Sequence, residues 1–192
     1  MTTNRYLSHE NKALPATLVP EPENEVKSGD LLFSRKNTFE LVGACAFVFQ
    51  TRARLMMPDL IFRFRFNDDA CLNPLFLWGL LTDRSMRPAI QALAGGSAGS
   101  MPNISKGRLE RLAIPKPPVE HQERFAAGVQ RAYLNEVKTA EAQMKMKILF
   151  QTMLHRAFTG DLTAGWRAAH MKELLTEMEL QCIALNRLQV AA

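Results

Sequence analysis

Four histidines, three cysteines and a glycine-rich run are where catalytic chemistry would have to reside in this chain. The histidines are His9, His121, His155 and His170. No two of them stand three or four residues apart, so they do not make a metal-ligand pair on one helix face. Three lie in the C-terminal part, where a solvated or interface histidine is the simpler reading. Cys45, Cys71 and Cys182 are odd in number and widely spaced, which suits neither a disulfide framework nor a zinc site. No spacing ties His9 to Cys45. The sequence therefore predicts a non-catalytic chain with no cofactor or metal of its own.

The run GGSAGS (95–100) invites comparison with a phosphate cradle. A P-loop continues into GK[ST], whereas here SMPN follows, and the strand–GxGxxG–helix context of a dinucleotide site is missing. Two readings stay open. One is a plain flexible loop. The other is a loop whose glycines let a partner backbone approach and whose Ser97, Ser100 and Asn103, with Lys106 beyond, meet DNA phosphates or base edges. A second polar group, Arg35, Lys36, Asn37 and Thr38, forms a predicted turn. Arg and Asn are the types that read guanine and adenine edges bidentately; solvated surface is the alternative. The chain has 24 Lys and Arg against 19 Asp and Glu, net +5. The excess sits early: residues 33–65 hold six basic and two acidic residues. That bias permits a polyanionic partner without requiring one.

The elements that must position these residues read as α+β. Hydrophobic residues make up 47% of 192, enough for a core, and no apolar run approaches the ~20 residues of a membrane span. A cytoplasmic setting without membrane contact is expected. Little regular structure is predicted before residue 27. LLF (31–33) and LVGACAFVF (41–49) read as strands, the second continuous and buried. LIFRFRF (60–66) alternates, which predicts Phe62, Phe64 and Phe66 in the core and Arg63 and Arg65 on an exposed face. Asn73 and Pro74 make a helix start, with one or two helices to residue 94 and a break at Asp83 or Ser85. Ser105 is placed to cap a short helix over 106–110, and Leu112 and Ile114 suggest a short strand before the prolines.

Residues 119–158 contain no proline and one glycine, and predict a single long helix. Val129, Tyr133, Val137, Ala140, Met144 and Ile148 step by three or four residues, which makes an apolar stripe. About 38 helical residues would extend ~57 Å, so a coiled coil with a partner is expected, with Val129, Tyr133, Val137, Met144 and Ile148 at the interface. A second amphipathic helix is predicted over about 166–189. The domain reading is 1–118 for the α+β part and 119–192 for the helical part.

Five stretches in order carry a resemblance: GDLLFSRKNTFELVG (29–43), PDLIFRFRF (58–66), GGSAGSMPNISKGRLERLAIPKPP (95–118), HQERFAAGV (121–129) and LHRAFTGDL (154–162). The chain resembles the specificity subunit of type I restriction-modification enzymes, from its second target-recognition domain onwards. The resemblance implies a target-recognition domain over 1–118 that reads half of a bipartite site in double-stranded DNA. It implies that 119–192 is a spacer that forms a coiled coil and docks adenine-methyltransferase subunits, which restriction subunits join. Catalysis and cofactors would belong to those partners. By motif position, the SRKNT turn (34–38) and the GSAGSMPNIS loop (96–105) lie towards DNA.

The chain departs from the pattern in small ways at His121, where the family commonly has Glu, and at Lys116 in the proline run. The larger departure is length. One recognition domain, and the front of the other, have no counterpart here. The expectation is either a half-size subunit that pairs as a homodimer or with another specificity chain, or a piece of a split or decayed gene. The alternative function is a structural or regulatory fragment that assembles through its helices without reading DNA.

Overall fold

The computed structural model describes residues 4–67, 71–95 and 101–190, with side chains to residue 186. It contains a mixed α+β region followed by long helices. Two compact units divide the chain, Met1–Ala132 and Tyr133–Ala192.

In the first unit, β1 (Leu31–Ser34), β2 (Cys45–Phe47) and β3 (Ile61–Arg63) form an antiparallel sheet in the order β2-β1-β3. Phe33 is paired with Cys45 on one side and Phe62 on the other. All four residues of β1 are buried, because both faces of this central strand are covered. Leu31 and Phe33 face a core made with Val42, Cys45, Leu77, Leu81, Ile90 and Ile104. Leu32 joins Val26 and Val48 in a smaller cluster, closed by Tyr6, Met57 and Ile61. A strand covered on both faces loses the polar alternation of a half-exposed one.

Helices α1 (Pro74–Thr82) and α2 (Arg87–Ala92) pack near the sheet. The Asn73 side chain accepts from the N–H groups of Leu75 and Phe76, with Pro74 at the first helical position, as the sequence predicts. Asp83 accepts from Ser85 N–H and starts a 3₁₀ turn, Arg84–Met86, between the helices. Ser105 caps α3 (Lys106–Leu109) by accepting from Arg108 N–H.

Three strand expectations are corrected. The buried run 41–49 supplies only the three residues of β2. Thr38 C=O accepts from Leu41 and Val42 N–H, and Gly43 has φ +80°, so the chain turns before the strand begins; Val42 and Val48 are buried from loop positions. In 60–66, Phe62, Phe64 and Phe66 pack on the core as expected, but Arg63 is not on an exposed face. Its side chain is 7% exposed, with Nε 3.2 Å from Asp30 Oδ2. Its Nη1 and Nη2 donate to the carbonyls of Glu23 (3.1 Å) and Glu25 (2.6 Å). Arg65 is exposed. Leu112 and Ile114 form no strand; they are half-buried in irregular chain against the core.

Helix α4 (Val119–Phe158) runs over the predicted span. In the second unit it ends at Gly160, whose φ of +78° reverses the chain, with Thr159 Oγ1 donating to Asp161 Oδ2 at 2.8 Å. The helix expected over 166–189 is two, α5 (Ala164–Ala169) and α6 (Met171–Val190). They part at His170, whose ring stacks on Trp166 at 4.7 Å between centroids. Ile148, Phe150, Met153, Trp166, Met178 and Ile183 are all exposed in this single chain. Among the described residues no helix is long and apolar enough to cross a membrane.

All three cysteines are free; Cys45 is buried, and Cys71 and Cys182 are exposed. Burial pushes the Cys45 thiol well above its ordinary pKa by disfavouring the thiolate. A disulfide reagent at pH 8 is expected to titrate Cys71 and Cys182 promptly and Cys45 only after denaturant is added. Prompt reaction of all three thiols would contradict the packing at β2.

Candidate nucleic-acid interface

The polar turn 34–38 leaves the buried end of β1 and is anchored from several sides. Ser34 exchanges backbone hydrogen bonds with Ala44 and Gly43, both at 2.8 Å. Arg35 N–H donates to Leu60 C=O at 3.0 Å, and Arg35 C=O accepts from Ile104 N–H at 2.8 Å. Ile104 is fully buried, so this bond ties the turn to the core. The Arg35 side chain is half-buried: Nε donates to Asp59 C=O at 2.9 Å, and Cζ lies 5.5 Å from the Phe62 ring centroid, a cation–π distance. Part of its guanidinium therefore serves the fold. Lys36 and Thr38 are exposed and Asn37 is half-buried. Asn37 Oδ1 accepts from Thr38 N–H at 2.9 Å, a local bond of the kind that shapes turns.

The second predicted segment meets the first at Asn103. Asn103 and Gly95 exchange two backbone hydrogen bonds, each 2.9 Å, and Asn103 also forms a bridge with Lys36. Residues 36, 95 and 103 are thus held together although more than sixty positions separate the first from the last. The Asn103 side-chain oxygen is buried and accepts no hydrogen bond among the described residues. The guanidinium of Arg108 lies directly over Gly95, and its Nη1 donates to Leu93 C=O at 3.2 Å. Lys106 is 82% exposed, 3.8 Å from Glu110, a surface pair of little energetic weight. Ser97 and Ser100 lie outside the described residues.

Of the predicted interface residues on α4, Val129, Tyr133 and Val137 are half-buried, and Met144 and Ile148 are exposed.

Sequence reasoning passed over Arg87. From α2 its guanidinium donates to the carbonyls of Val42 (2.6 Å), Glu40 (2.8 Å) and Phe39 (3.0 Å), and Gln91 Nε2 also donates to Phe39 C=O at 3.0 Å. These bonds hold the segment that follows the polar turn. Burial lowers the Arg87 pKa from its ordinary value, with the Glu40 charge acting the other way. Carbonyl clamping by an arginine has no signature in local sequence. Among the described residues no group of three or more His, Cys, Asp or Glu side chains is placed to hold a metal ion. The described part of the site offers the cationic side chain of Lys36, the Asn37 amide and the Thr38 hydroxyl on a hydrogen-bonded base.

No family model matches the chain. It is similar to the type I restriction enzyme EcoEI specificity subunit of Escherichia coli, 30% identical over 162 residues, covering 79% of this chain and 25% of that protein. The EcoKI specificity subunit of Escherichia coli strain K12 is 30% identical over 151 residues, 76% of this chain and 32% of that protein. The EcoDI specificity subunit of Escherichia coli is 26% identical over 154 residues, 78% and 32%. The chain spans a quarter to a third of the length of these relatives. Over about three-quarters of its own length, it is homologous to a segment of type I restriction enzyme specificity subunits.

Proposed function

We propose that this chain is a non-catalytic DNA-recognition and assembly subunit of a type I restriction-modification system. The N-terminal unit meets one half-site of double-stranded DNA through the turn 34–38 and the loop that closes on Gly95 and Asn103. The helical region pairs with a second copy or another specificity chain and docks methyltransferase subunits, which restriction subunits join. The observation that carries the reading is the junction at Asn103, which sets Lys36 beside the base of that loop. That junction brings two segments distant in sequence together on a hydrogen-bonded support. The apolar side chains that α4 and α6 expose, Ile148, Phe150, Met153 and Ile183 among them, support helix pairing, because a partner helix would remove them from water.

Arg35 is committed in part to Asp59 and Phe62, so its removal would mix stability with binding. Lys36 is the cleaner probe. With its methyltransferase partner the chain is expected to retard duplex DNA, with log affinity falling linearly against log salt. Lys36→Ala is expected to reduce the salt slope by about 1 and weaken binding across sequences, as loss of one phosphate contact does. Fluorescence anisotropy across a salt series measures both. Binding indifferent to salt and sequence, in wild type and variant alike, would point to a fragment that assembles without reading DNA.

A further inference from the structure

The long helix does not start free of the first unit. Gln122, in its first turn, is 0% exposed, and with Ser34 it is one of two polar residues buried as a whole, backbone included, among the described residues. Its Nε2 donates to Pro117 C=O at 2.8 Å and to Cys71 C=O at 3.2 Å. Its Oε1 accepts from Asn73 N–H at 2.9 Å. Asn73 is also the cap of α1, and Cys71 has φ +45°, outside the usual range for a residue with a side chain. One carboxamide thus joins the segment before α1, the start of α1 and the proline run that leads into α4. One turn on, the Phe125 ring stands edge-on to Phe76 at 5.9 Å and lies over Gly79 so closely that a Cβ there would collide with it. Ala126 is 6% exposed.

Two independent contacts, a polar one and a packing one, therefore fix the base of α4 against α1. The polar one is specific to glutamine, since it needs two N–H donors and an acceptor on a side chain of this reach. Glutamate keeps the shape but donates nothing and would bury a charge facing two carbonyls. Gly79 lowers the helix-forming tendency of α1, and in return the helix gains a notch that receives a ring.

We infer that Gln122 is a positioning residue: together with the Phe125–Gly79 notch it latches the base of α4 to α1, so that the start of the helix is held as part of the first unit and does not hang from a flexible proline linker. Resting on the function proposed above, the same latch would set the helix against the half-site that this unit reads.

The test needs neither DNA nor partner. Nitroxide labels are placed at the exposed positions 84 and 131, both in the first unit, in the full chain with Cys71 and Cys182 changed to serine. With the labelled chain diluted in unlabelled chain, so that pairing adds no second distance, pulsed electron resonance is expected to give one narrow distance distribution for otherwise unchanged protein. Gln122→Ala and Gln122→Glu should both broaden it, with helix content by circular dichroism retained. A narrow, unshifted distribution in Gln122→Glu would overturn the inference, because size alone would then suffice. Should the Gln122 variants fail to fold, Gly79→Ala decides: it leaves the carboxamide bonds in place and expels the Phe125 ring, itself 43% exposed, from its notch, so the distribution should shift or broaden, and an unchanged distribution overturns the latch. A latched chain that binds no DNA would sink the functional proposal alone; a DNA-binding chain with a loose helix would sink this one alone.

Discussion

Arg63→Ala is expected to cost about 3–5 kcal/mol of folding stability, the scale for removing one partner of a buried charge pair. Arg65→Ala, two residues on, should stay within about 0.5 kcal/mol, as for exposed substitutions. The contrast rests on what each guanidinium touches. Arg63 is nearly sealed, opposes Asp30 and closes two backbone carbonyls of the segment 23–25. Its Nε–Asp30 contact is a charge contact without the alignment of a hydrogen bond, so most of the directional bonding runs through Nη1 and Nη2. Loss of the side chain leaves the Asp30 carboxylate, 16% exposed, without its cation, and frees Glu23 and Glu25 from β3. Arg65 is exposed and lines an open depression with Lys27 and Glu23. Urea unfolding of the two variants followed by circular dichroism measures the difference. Equal, small losses would mean that the buried pair contributes little.

Gly43→Ala is the second large effect, expected at about 2–5 kcal/mol. Left-handed backbone costs a residue with a side chain about 1–2 kcal/mol, and overpacking a core adds about 1–3 kcal/mol. Gly43 has φ +80°, and a Cβ there would collide with the Ile90 side chain and come within 3.3 Å of the Phe33 ring. Both of those residues are 0% exposed, so neither can move aside into solvent. Gly29 supplies the control. Its φ is +92° but nothing lies within 4 Å of a Cβ, so Gly29→Ala should show the backbone cost alone, about 1–2 kcal/mol. Thermal melting of the pair separates strain from collision, and equal losses at the two sites would show that Ile90 yields. Since Gly43 N–H also bonds to Ser34 C=O, the polar turn is expected to loosen in the first variant and not in the second.

What could be read from the sequence was what is decided locally. Asn73 with Pro74, and Ser105 before α3, satisfy helix-end donors within a few residues, and the structure places both caps where the sequence puts them. The long helix needs only forty residues without a breaker, and α4 follows. The misreadings have non-local causes. Alternation in 60–66 assumes that one side of a strand faces water, but chain from residues 23–30 covers Arg63. The continuous apolar run 41–49 serves a turn and a strand in succession, because Val42 and Cys45 reach the same core from different backbone shapes. Gln122 stood out only as part of a family-like motif. A polar residue in the first turn of a helix is normally solvated, and its burial depends on Cys71 and Asn73 some fifty positions earlier. The candidate site was legible as two segments; that Asn103 joins them follows from pairing that no local pattern encodes.

That junction bears on the length of the chain it encloses. Seven residues, 96–102, are enclosed between Gly95 and Asn103, whose mutual hydrogen bonds are made without them. Closing a loop twice as long costs only about 0.6 kcal/mol more, less than most single core substitutions. Loop closure therefore sets only a weak limit on the length of chain between Gly95 and Asn103, whose mutual bonds, with that of Arg35 to Ile104, belong to the base. The bonds that close the base thus prescribe no fixed length for what lies between them.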